Sequence, residues 1–249
     1  MRPVTKIPAD GTNSVILYED IPDMISCEEI IQADYRPYGK ARKFLVANLG
    51  PYCSYCENYF SQSGNLQTEH IQPKSIYPGL ETRWDNFLLA CPTCNGKGNK
   101  GEKDVILDEV HLPHRNNTFL SLIYKEAGVV EVNPALSKLS RQHAQKLVDL
   151  VGLDKSDTET DQRRDMRRKA WDAAQSCLKS YESNRIVLKK LINYIKTRDC
   201  WSIWFTVFKD HDEVRKALID EFPGTAKECF DANNHYEPIE RNPGKPDPV

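Results

Sequence analysis

Eight cysteines are spread over 249 residues, and four of them form two C-x-x-C pairs, Cys53-x-x-Cys56 and Cys91-x-x-Cys94, with thirty-four residues between the pairs. No other feature constrains the chain as strongly. Each pair can turn two thiolates toward one point, and together they supply the tetrahedral sulfur array that suits zinc, an ion with no geometric preference of its own. Four protein ligands leave no open position. Such a zinc is structural: it joins two chain segments, at apparent energies of order 10 kcal/mol in small zinc peptides, and does no chemistry itself. A redox dithiol normally comes as a single C-x-x-C near a βαβ pattern, which is missing here, while iron is a second metal that four sulfurs accept. Cys27, Cys177, Cys200 and Cys229 stand singly in apolar surroundings and read as ordinary buried cysteines.

Residues 1–11 lack the apolar segment of a signal peptide, and the longest apolar run, residues 200–208, is far shorter than the roughly 18 residues of a spanning helix. The expectation is a cytoplasmic protein with reduced thiols, no membrane association and no disulfide framework. Charged residues make up 28% and hydrophobic ones 39% of the chain, with a mean hydropathy of -0.61, as in a soluble protein with exposed helix faces. A net charge of -2 removes the global basic character of many nucleic-acid binders, so phosphate contacts must be local. Basic clusters lie at residues 36–43, 97–103, 163–169 and 189–198; solvated helix faces account for the last two equally well.

The chain divides, by pattern, into an irregular N-terminal arm over residues 1–40, a cysteine-bearing module over 41–108, a hairpin plus helical region over 109–234, and a proline-rich tail over 235–249 expected to be extended or flexible. The arm carries one short apolar stretch at residues 15–18. A helix is predicted at residues 38–49, stopped by Gly50-Pro51. Strand-rich stretches at 118–124 and 129–132 flank Ala127-Gly128 and predict a hairpin. Asn133 before Pro134 reads as a helix N-cap, with an apolar stripe ending at Gly152, and further helices are expected at 157–181, 186–195, 201–208 and 211–222. The fold class is α+β, mostly helical. Trp171, Trp201, Ile203, Trp204 and Phe205 offer more apolar surface than one helix layer easily hides, which suggests a protein-docking face.

Between the cysteine pairs lies Glu69-His70-x-x-Pro73-Lys74, then Asn86-x-Leu88-Leu89-Ala90, and the second pair runs on into Asn95, Lys97 and Lys100. This order of motifs resembles the HNH endonuclease family, whose catalytic unit is two strands and a helix around one divalent ion. Phosphodiester hydrolysis needs a base for the attacking water and a cation for the developing charge. His70 suits the base, since an imidazole with a pKa near ~6.5 is largely neutral at pH 7 yet basic. Adjacent strand residues face opposite sides, so Glu69 and His70 cannot both serve one ion on a regular strand. The resemblance implies a bend there that brings Glu69 to the metal. It further implies that Asn86 holds the loop and orients His70, that Asn95, where the family often has histidine, is the second metal ligand, and that Lys74, Lys97 and Lys100 contact phosphates. Oxygen ligands of this kind suit Mg2+ or Mn2+. Glu69 and Asn95 both depart from the commonest family residues.

A start of the form Met1-Arg2-x-Val4-x-Lys6, the first pair near residue 53, the hairpin and the helix that follows it narrow the resemblance to the nuclease subunits of Septu-type anti-phage systems, including retron-associated ones. That implies a nucleic-acid substrate, DNA or RNA, an ATPase partner of the PtuA type and, where a retron is attached, its reverse transcriptase with its RNA and DNA. The alternative from another class is a non-catalytic, zinc-stapled nucleic-acid-binding module, which has no need of Glu69, His70 and Asn86 together.

Overall fold

The computed structural model describes residues 1–7 and 31–241. The apolar stretch at 15–18, Cys27 and the last eight residues of the tail lie outside the described residues. Helix α1, Ala41–Leu49, follows a 3-10 turn and ends at Gly50, whose φ of 77° closes it. It buries Phe44, Leu45 and Leu49 against two short antiparallel strands, β1 (Gln67–His70) and β2 (Phe87–Ala90), paired Glu69 to Leu88 and His70 to Phe87. All four residues of β2 are buried, which is why the chain reads there as a continuous apolar run. One helical turn, α2 (Pro92–Asn95), follows directly, with Pro92 at its first position.

Asn117 caps the helical turn α3 (Thr118–Ser121), and the hairpin that follows is shorter than its strand-rich residues suggest: β3 (Leu122–Tyr124) pairs with β4 (Val130–Val132). The turn between them takes Ala127 and Gly128 into the left-handed region, as a tight reversal requires. Helix α4 spans Lys138–Val151 and is capped by Ser137, not Asn133; the Asn133 side chain instead accepts from Ala135 N in a local turn. Gly152, at φ 61°, ends it as expected.

Helices α5 (Arg163–Glu182), α6 (Leu188–Ile195), α7 (Trp201–Val207) and α8 (Asp212–Asp220) complete the helical half. The expected docking face is corrected here, because α7 is its central helix. Trp201, Ile203, Trp204 and Phe205 are buried, Trp201 stacks on Phe205 at 4.7 Å, and Phe119 and Phe230 close over the same ring system. Their indole N–H groups donate to the Leu218 and Asp199 carbonyls, so the tryptophans are satisfied inside the protein. Trp171 is partly buried against the same core.

Residues 1–4 and 241 are tied to this body. Val4 bridges Thr225, and Arg2 donates to the Leu49 and Pro223 carbonyls. The described part of the tail enters a strand: β5 (Phe230–Asp231) pairs with β6 (Glu237–Pro238), and Arg241 donates to the Val4 carbonyl. Among the described residues, no helix is long and apolar enough to cross a membrane.

Candidate functional site

The cysteine pairs converge. The Sγ atoms of Cys53, Cys56, Cys91 and Cys94 all lie within 4.8 Å of one another and all four residues are buried, with Cys56 and Cys91 sulfurs 3.7 Å apart. A tetrahedral ion with Zn–S near 2.3 Å requires sulfurs about 3.8 Å apart. The donor set fits a zinc ion. Cys91 is the N-cap of α2, and its sulfur accepts from Cys94 N; Cys53 Sγ accepts in turn from Cys91 N. Hydrogen bonds from Cys53, Cys56 and Cys94 hold the Cys91 thiol far below its usual range, while neighbouring sulfurs, Cys53 first, and then burial push Cys56 and Cys94 well up.

His70 closes β1 and lies half-buried. Its Nε2 is 2.8 Å from the Glu81 carbonyl oxygen, which can only accept, so Nε2 carries the proton and Nδ1 keeps its lone pair. The Tyr38 ring meets the imidazole edge-on at 4.7 Å and Phe87 at 5.2 Å, fixing its plane. Partial burial lowers the His70 pKa below the usual histidine value, against the opposing pull of the Glu81 carbonyl. Lys74, about half-exposed, stands over the Tyr38 ring at 4.6 Å and pairs with Glu81. Lys97 is exposed in the turn after α2.

Asn86 clamps the loop that carries the Glu81 carbonyl. Its Oδ1 accepts from Gln72 N, and its Nδ2 donates to the Gln72 and Leu80 carbonyls. Asn86 thus bonds to the loop that carries the Glu81 carbonyl, and it meets His70 through that loop. Tyr38 and the Glu81 carbonyl escaped the sequence: a backbone acceptor has no residue signature, and Tyr38 belongs to a helix start thirty-two positions before His70.

Three of the implied site residues, Glu69, Lys100 and Asn95, have partners within the protein. β1 stays regular through His70, without the implied bend, so Glu69 faces the opposite side from the imidazole. There its carboxylate is fully buried, with Lys100 Nζ 3.2 Å from Oε1 and the Tyr55 hydroxyl donating to Oε2. Burial raises the Glu69 carboxyl above its usual range, against the counter-pull of Lys100. Lys100 is itself fully buried and also donates to the His70 carbonyl, so it is a structural cation and not a surface phosphate contact. The cause is local: Lys100 N bonds back to the Cys94 carbonyl, and this return turns its side chain inward. The Asn95 amide donates to Gln67 Oε1. Glu69 does not fit a divalent ion in this arrangement, since the Lys100 ammonium already neutralises its carboxylate.

Residues 53–101, the stretch that holds the cysteines, the strand pair and His70, match the family model described as HNH endonuclease. The Septu protein PtuB of Bacillus thuringiensis is 39% identical over 70 residues, a segment covering 28% of this chain and 26% of that protein.

Proposed function

We propose that the protein is a metal-dependent HNH nuclease that hydrolyses phosphodiester bonds in nucleic acid, with His70 as general base. One observation carries this reading: the imidazole is fixed by the Glu81 carbonyl and the Tyr38 ring with Nδ1 left as acceptor, beside Lys74. Nδ1 takes a proton from water as its oxygen bonds to phosphorus, and the bond from phosphorus to the leaving sugar oxygen breaks. Lys74 and Lys97 carry the exposed charge that can hold the backbone. Asn86 keeps the loop closed so that the imidazole does not turn. The family resemblance implies an ion, Mg2+ or Mn2+, that stabilises charge on the phosphate. Glu69 can serve one only after its pair with Lys100 opens.

The similarity to PtuB supports a place for this chain in an anti-phage assembly of the Septu kind, acting in the cytoplasm. The resemblance implies an ATPase of the PtuA type as partner, together with a retron reverse transcriptase and its nucleic acid where one is attached. A second reading is favoured by the Glu69–Lys100 pair: a zinc-stapled nucleic-acid-binding module that does not cut. Incubation of the full chain, alone and in its native complex, with plasmid, single-stranded DNA and total RNA separates the two. Cutting of at least one substrate on addition of Mg2+ or Mn2+ is expected; binding without cutting under every condition would establish the second reading.

A further inference from the structure

Arg163 opens α5, far along the chain from the cysteines, yet it is buried and its guanidinium reaches the sulfur cluster. Nη1 donates to Cys94 Sγ at 3.2 Å and to the Val151 carbonyl at 2.8 Å. Nη2 donates to the Gly152 carbonyl at 2.8 Å and Asp161 Oδ2 at 2.7 Å, and Nε to Asp161 Oδ1 at 2.8 Å. All five N–H groups of the fork thus have an acceptor, and one of these acceptors is a metal-binding sulfur. Zinc held by four thiolates carries two net negative charges in a buried site, where a cationic N–H donor to sulfur is strongly favoured. Asp161 balances the guanidinium on its other side and fixes its plane. The Val151 and Gly152 carbonyls belong to the C-terminal end of α4, so the same group also caps that helix. Lys155, in the connection between α4 and α5, donates to Asn99 Oδ1 and the Gly98 carbonyl and holds the segment that follows Cys94.

We infer that Arg163 is a positioning residue of the zinc site, whose N–H···S bond to Cys94 makes retention of the ion depend on the docked helical half. The inference rests on the zinc reading of the four cysteines. A lysine offers one donor head in place of a fork and cannot reach the sulfur, both carbonyls and Asp161 at once. Removing an outer hydrogen bond to a metal ligand typically weakens metal binding by about 10–100-fold.

The test uses the full chain loaded with zinc or, by exchange, with Co2+, and compares R163Q, R163K and D161N. The thiolate-to-cobalt charge-transfer band should move to lower energy in R163Q, because the thiolate loses a stabilising donor, and less far in R163K. Zinc transfer to a chromophoric chelator should be about 10-fold faster or more in R163Q. D161N keeps the contact to sulfur and should leave the band in place. A wild-type band and release rate in R163Q would overturn the inference; if R163Q does not fold, an unchanged band and release rate in R163K would overturn it. Wild-type protein that holds no metal would instead refute the zinc reading.

Discussion

Because the Glu81 carbonyl occupies Nε2–H, any proton that His70 accepts must go to Nδ1, and partial burial makes that step harder than for a free imidazole. The sign follows directly. A base with a lowered pKa stays neutral further into acid, so the acidic limb of the kcat/KM profile should have its midpoint below ~6.5; a midpoint above 7 would contradict the assigned environment. On the opposite face of the strand, Lys100 and Glu69 neutralise each other without exposure. Lys100→Met leaves a buried carboxylate unpaired and should destabilise the protein by about 3–5 kcal/mol in urea unfolding. A loss under about 1 kcal/mol would mean that the pair does not hold the strand. At this scale the sequence was informative about residue types and uninformative about faces. Glu69, His70, Asn86 and the four cysteines all stand in the module, but Lys100 carries no mark that separates a buried ammonium from the exposed Lys97.

Among the elements, the hairpin turn packs closely on α5. A Cβ on Gly128 would lie 2.1 Å from the Arg164 carbonyl oxygen, at a φ of +71° that L side chains rarely adopt. Gly128→Ala should therefore lower stability by about 1–3 kcal/mol from backbone strain alone, plus the cost of parting the turn from α5; a melting temperature equal to wild type would contradict this packing. Element positions were largely legible, because Gly50, Gly152 and the Ala127-Gly128 turn are local signals that act wherever they stand. Two misreadings share a physical cause. Asn133 and Ser137 are both good caps, and only the packing of α4 selects the second. The aromatic run of α7 is equally suited to a surface or a core, and what decides is Phe119, Phe230 and α8 arriving from elsewhere in the chain.

In the whole molecule, the four-cysteine cluster joins the cysteine-bearing module to the rest. Glu57, directly after the first cysteine pair, accepts from Ser202 N and Oγ at the start of α7, and Arg163 approaches the second pair from α5. Chelation of the structural metal, or Cys91→Ser, should therefore unfold more than the two knuckles. Near-ultraviolet signals from Trp201 and Trp204 should be lost together with the metal; their persistence in metal-free protein would show that the helical half stands alone. In the proposed function an ion holds and His70 cuts, and one measurement tests this most directly: single-turnover cleavage by His70→Ala, compared with wild type at equal zinc content. One zinc per chain, retained nucleic-acid binding and a rate lower by about 10²–10⁴-fold are expected. A zinc-loaded His70→Ala protein that cuts at the wild-type rate would contradict the proposed function.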